Sequence, residues 1–157
     1  MSIIALEARV LGLASKAVIM PVEEIRLSSE LAAHPDATRS LPRILSWTTH
    51  QNFHVRRVAI TTLRKMRAYG ATGVLEALVR ALGDAEGWVR YDAAWALRDR
   101  GGAEPEVIAA LERLARGVPV PTEQEEAQLD IDDEVLMARV EAARALASLR
   151  AAAPLRG

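Results

Sequence analysis

Few residues in this chain could do chemistry, and their spacing narrows what that chemistry would be. His50 and His54 stand four apart, the spacing that places two imidazoles on one helix turn as a metal pair requires. They straddle a break between two apolar runs, with no Asp, Glu or Cys beside them to complete a site. Solvated or capping histidines are the other reading, and His34 stands alone. Seven carboxylates crowd one stretch: Glu123, Glu125, Glu126, Asp130, Asp132, Asp133 and Glu134. Their spacing is not that of a calcium loop, which alternates Asp and Asn before a glycine and closes on Glu. Gly70-Ala71-Thr72-Gly73 has no strand before it and no Lys after it, so it reads as a helix end rather than a phosphate cradle. No Ser, His and Asp fall into a triad pattern. With no cysteine, thiol catalysis and Cys-ligated metals are excluded. The expectation is a chain that is not an enzyme, with no catalytic residue, no cofactor and no metal.

What remains is charge. The 157 residues carry a net charge of −1, but the two signs are segregated. From Ala37 to Leu75 stand Arg39, Arg43, Arg56, Arg57, Arg64, Lys65 and Arg67 with no acid among them; from Glu123 to Glu134 stand the seven acids with no base. A near-neutral total therefore hides a basic patch and an acidic run.

The elements that position these charges come from hydrophobic period. Half of the chain is hydrophobic, only 4% is aromatic, and the length suits one domain with a core of small aliphatic side chains. In the first twenty residues Ile3, Leu6, Val10, Leu13, Ala14 and Ala17 recur at helical spacing. Glu7 and Arg9 interrupt that run, so it reads as an amphipathic helix rather than a secretory or membrane-spanning segment. Cytoplasmic localisation and no membrane association are the expectations. Pro21-Val22-Glu23-Glu24 opens a second helix with proline and acids at its positive end.

Beyond residue 36 the chain repeats itself. Val55 to Leu63, Val89 to Leu97 and Ala138 to Leu146 share an Arg at the second place (Arg56, Arg90, Arg139), an Ala at the fifth (Ala59, Ala93, Ala142) and a Leu at the ninth. The offsets are 34 and 49 residues, so the last repeat carries about 15 extra, residues 117–132. The first, fifth, eighth and ninth places form one helical face of small or aliphatic residues. A further helix precedes each, marked by Leu41, Ile44 and Leu45; by Val74, Leu75, Leu78 and Leu82; and by Val107, Ile108, Leu111 and Leu114. Glycines at 70, 83, 87, 101 and 102 punctuate them. The organisation expected is 1–35 as N-terminal capping helices, then repeats at 36–69, 70–102 and 103–150, all in one domain.

With Asp84-Ala85-Glu86-Gly87-Trp88-Val89-Arg90-Tyr91-Asp92-Ala93-Ala94-Trp95-Ala96-Leu97 in view, the chain resembles the HEAT repeat family, closest to the short HEAT-like repeats named after phycobilisome lyase subunits. The resemblance implies an all-α fold, an α-α superhelix in which antiparallel helix pairs stack as a right-handed solenoid. It also implies ladders between a turn Asp and the second-helix Arg, with Asp84 and Asp133 at the turn place and His50 standing there in the first repeat. Ser46-Trp47-Thr48-Thr49-His50-Gln51-Asn52-Phe53-His54-Val55-Arg56-Arg57 is similar to a phrase in the HEAT-like alkylpurine DNA glycosylases, which hold DNA backbone on a basic concave face. No catalytic acid of that family matches a position here.

In HEAT solenoids the second helices line the concave face. Residues opposite the buried stripe are then the candidate partner-binding set: Arg57, Thr61 and Arg64, then Tyr91, Trp95 and Arg98, then Val140 and Arg144, with Trp, Tyr and Arg the types that dominate interfaces. A non-catalytic scaffold for a protein partner is the first reading. Nucleic-acid binding through the basic patch at 37–75 is the second, and relation to a chromophore lyase is a third, by analogy alone. The acidic insertion is expected to lean toward the groove or the basic first repeat.

Overall fold

The computed structural model describes residues 1–153, which form two compact units, Met1–Ala77 and Leu78 onward. Helices and turns account for the regular structure, with no strand among the described residues.

The first unit holds α1 (Ile3–Gly12), α2 (Pro21–Ala33), α3 (Leu41–Trp47) and α4 (Phe53–Lys65). Ser2 caps α1 by accepting from the Ala5 amide, and α2 begins on its proline, whose missing N–H is no loss in a first turn. The first helix is shorter than its period suggests. It ends at Gly12, a tight turn covers Leu13–Ser15, and Ala14 and Ala17 face solvent. The residue before a proline is held extended, and Met20 is so (φ −84°, ψ 139°), so the chain must leave helix before Pro21. Leu6, Val10 and Leu13 pack inward with Leu27, Leu31, Ile44, Val55, Ala59 and Leu63.

The helix α5 (Val74–Ala81) contains the boundary between the units. The second unit continues with α6 (Gly87–Arg100), α7 (Pro105–Ala115), a single turn α8 (Glu123–Glu126) and α9 (Glu134–Ala152). Its centre is the packing of α6 on α9, with α7 against α9. Gly87, Tyr91 and Arg98 are the α6 residues turned toward α9, while Ala93 and Ala96 of α6 and Ala138, Ala142 and Ala145 of α9 have no exposed surface. At Gly87 the helices come so close that an added Cβ would lie 2.8 Å from Glu134 Cβ. All twelve residues of the predicted stripe are buried, from Val55, Ala59, Thr62 and Leu63 to Ala138, Ala142, Ala145 and Leu146.

The repeats also share a turn device that the sequence only hinted at. His50 Nδ1 accepts the Asn52 amide at 3.0 Å, and Asp84 Oδ1 accepts the Glu86 amide at 2.9 Å. Six residues on, Arg56 donates to the His50 and Gln51 carbonyls at 2.8 and 3.0 Å, and Arg90 to those of Asp84 and Ala85 at 2.6 and 3.2 Å. His50 is thus an equivalent turn acceptor, not a misfit, and each Arg ties the helix to its own turn.

The third repeat departs from this. Asp133, matched by sequence to the turn Asp, instead caps α9 by accepting the Leu136 amide at 3.0 Å. Asp130 makes the i to i+2 turn in its place, accepting from Asp132 at 3.0 Å. Asp133, which the resemblance puts at the turn place of a ladder, thus serves the helix cap, while Arg90 serves carbonyls of its own turn. Arg139 is the sixth residue of its helix, where Arg56 and Arg90 are the fourth of theirs. Two residues of helix amount to about 3 Å, which takes Arg139 away from the turn carbonyls.

Candidate interaction face

On α6, residues 88, 91 and 95 fall on one stripe by three- and four-residue steps. Trp88, Tyr91 and Trp95 form a row of edge-to-face contacts, with ring centroids 5.6 and 6.2 Å apart. Buried small residues on the opposite side of α6 fix the helix, so this row faces outward, and Trp95 is 37% exposed. Tyr91 is half-buried, and burial together with the charges of Glu141 and Asp92 pushes its phenol above the usual value.

Beside this row lies an ionic cluster centred on Glu141, an acid 1% exposed on α9. Arg98 from α6 stands 3.1 Å from Glu141 Oε1, yet that oxygen has no hydrogen bond among the described residues. Arg144, one turn along α9, lies 3.6 Å from the other oxygen and also pairs with Glu126 of α8. Burial raises the Glu141 pKa, and the two guanidinium groups only partly oppose it. The acidic insertion is accordingly not structureless. Thr122 and Glu125 form a reciprocal capping box around α8, and Glu126 brings that turn onto α9 at Arg144.

Of the residues predicted for partner binding, Tyr91, Trp95, Arg98 and Arg144 lie together on this face of the second unit. Val140, placed in the groove by sequence, is 2% exposed and belongs to the core. Its neighbour Glu141 went unnoticed. The available signal was its position three after Ala138 and four before Ala145, both in the buried column.

Arg57 and Arg64 belong to the first unit, in a different setting. Arg57 donates to Glu24 Oε2 at 3.0 Å, and His54 binds the other oxygen of that buried carboxylate. Arg43 pairs with buried Glu7 at 2.5 Å, and Ser40 donates to the same carboxyl at 2.6 Å. Lys65 donates to Ser28, Ser29 and the Ile25 carbonyl, and its partial burial lowers its pKa. Arg39 lies 3.7 Å from Asp36, Arg67 sits over the Tyr69 ring, and Arg56 serves its turn. Arg64 is engaged as well. The acids, Glu7 of α1, Glu24 of α2 and Asp36 just after α2, all precede the acid-free stretch of sequence, which is why the patch looked unopposed.

No group of three or more His, Cys, Asp or Glu among the described residues is arranged to hold a metal. No described helix is long and apolar enough to cross a membrane. His34, like His50, accepts the amide two residues on, that of Asp36, at 3.0 Å.

No curated protein and no solved structure matches the chain. The family model for HEAT repeats matches residues 41–131, more than half of the sequence and the stretch that holds the first two helix pairs. With the buried small-residue columns and paired helices already seen, the chain belongs to the HEAT repeat family.

Proposed function

We propose that the protein is a non-catalytic scaffold that binds a protein partner through the α6–α9 face of its second unit. HEAT repeats commonly serve protein–protein interaction. The observation that carries the reading is Trp95, a large aromatic left 37% exposed at the end of an ordered aromatic row. Its neighbours Arg98 and Arg144 are held in place by Glu141, so the face offers an aromatic anchor with preset guanidinium groups. The Glu126–Arg144 pair lays the acidic insertion along the edge of that face, and a partner with its own carboxylates would compete for Arg144. Glu126 is the solvent-exposed member of that pair, so a partner's carboxylate can replace it while Arg144 stays held beside Glu141.

The second reading, nucleic-acid binding at 37–75, draws less support, because the cations of that patch already have partners within the protein. Affinity capture with the whole chain, with and without nuclease, separates the two. The expected result is a protein partner that survives nuclease and is lost with Trp95→Ala. A partner retained by that variant, or one released by nuclease, would defeat the proposal.

A further inference from the structure

We propose that a cleft on the second unit, apart from the α6–α9 aromatic face, binds a small polyphosphate anion. The cleft has a volume of about 460 Å³, within the range of small-molecule sites, and Arg80, Arg90, Arg113, Arg116 and Arg139 line it with Asp84 as the lone acid. These five arginines come from five places in the chain: the last turn of α5, the first turns of α6, the last turn of α7, its C-cap, and α9. Convergence from separate elements is not what one solvated helix face produces.

The bland alternative is that cations at helix C-termini merely complement helix dipoles. The arithmetic goes against it. The ends of α5 and α7 contribute roughly half a negative charge each. With Asp84 that makes about −2 against five guanidinium groups, a surplus of about +3. Arg90 is occupied by two carbonyls, but the guanidinium groups of Arg113, Arg116 and Arg139 make no hydrogen bond or ion pair among the described residues. Arg139 is there because of the register change in the third repeat. Arg116 is there despite its backbone, since it takes a left-handed conformation (φ 49°) that favours glycine.

The acidic insertion does not neutralise the cleft. It begins directly after Arg116, yet its Glu126 goes to Arg144, five residues beyond Arg139 and so about 140° around α9. A surplus of this size in a small volume calls for a compact multivalent anion. Phosphate oxygens match the guanidinium fork in bidentate fashion. Leu82, Leu114 and Val135 add an apolar floor on which an organic substituent could lie.

Titration calorimetry of the full chain with inorganic tripolyphosphate at low salt tests this, with sulfate at matched ionic strength as reference. Saturable one-to-one binding is expected, at least tenfold tighter than sulfate. Arg113→Gln with Arg139→Gln should weaken it at least tenfold, while Arg26→Gln in the first unit leaves it unchanged. Because glycine suits the backbone at 116, Arg116→Gly removes one guanidinium without threatening the fold and should also weaken binding. Adenosine triphosphate binding more tightly than tripolyphosphate would support use of the apolar floor. No saturable binding, equal binding by the double variant, or equal affinity for a polyglutamate peptide would overturn the proposal. Tighter binding of duplex DNA that is lost in the same variants would overturn it in favour of nucleic acid.

Discussion

Two cationic regions of this molecule teach opposite lessons about charge. The stretch from 37 to 75 has seven basic residues and no acid in sequence, yet folding gives those side chains partners, the main ones being Glu7 and Glu24 from the preceding helices. The arginines at 80, 90, 113, 116 and 139 are scattered among acids in sequence, yet folding gathers them around one cleft and leaves three without a partner among the described residues. Linear charge density marks where cations are made. Which cations stay available depends on the acids that the fold brings to them.

The largest expected effect comes from removing the frame of the second region. Ala93→Leu overpacks a position of α6 that has no exposed surface and should cost on the order of 1–3 kcal/mol in chemical denaturation. The same change should reduce tripolyphosphate affinity, since shifting α6 moves Arg90 relative to the other arginines of the cleft. An unchanged unfolding midpoint would mean that the site around Ala93 has room for a larger side chain.

Next comes the partnered region. Glu24→Ala removes the carboxylate shared by His54 and Arg57 and should cost about 1–2 kcal/mol. Arg113→Gln, which breaks no described contact, should stay within about 0.5 kcal/mol. Equal costs for the two would erase the distinction between the regions.

The turn devices give a finer contrast. Asp133→Ala should cost about 1 kcal/mol as a lost helix cap. His50→Asp should stay within about 0.5 kcal/mol, because aspartate plays the same turn role at 84.

The smallest effect is a pH slope. Burial raises the Glu141 pKa above its ordinary value of 4.5, so the folded protein holds a proton that the unfolded chain has released. Its contribution to stability is full below pH 4.5 and is lost as pH rises through the folded pKa. Glu141→Gln should therefore gain stability relative to the wild type as pH climbs from 4 to 8, read from melting temperatures. A constant difference across that range would show that Arg98 and Arg144 compensate the burial completely.

Much of the frame was legible because small-residue columns repeat at fixed offsets and burial follows helical period. Ala59, Ala93 and Ala142 could be placed on the buried face from sequence alone. Trp95 could be placed on the outer face for the same reason. The charges were harder to read. Glu7 looked like a polar break in an apolar run, but Ser40 and Arg43 make its burial tolerable. Val140 looked outward by register, but α9 is packed by both α6 and α7, which widens its buried face. The cleft was invisible because its arginines lie up to 59 residues apart and owe their grouping to tertiary packing, and because the shift of Arg139 depends on α9 starting one residue after Asp133 rather than three.

The most direct measurement of the contrast is arginine modification by phenylglyoxal on the native chain, read site by site by mass spectrometry. Arg113, Arg116 and Arg139 should be modified first, and Arg56, Arg57 and Arg90, held by Glu24 or by turn carbonyls, should lag well behind. Modification of Arg57 and Arg90 as fast as Arg113 and Arg139 would contradict the claim that folding occupies one cationic region and leaves the other open.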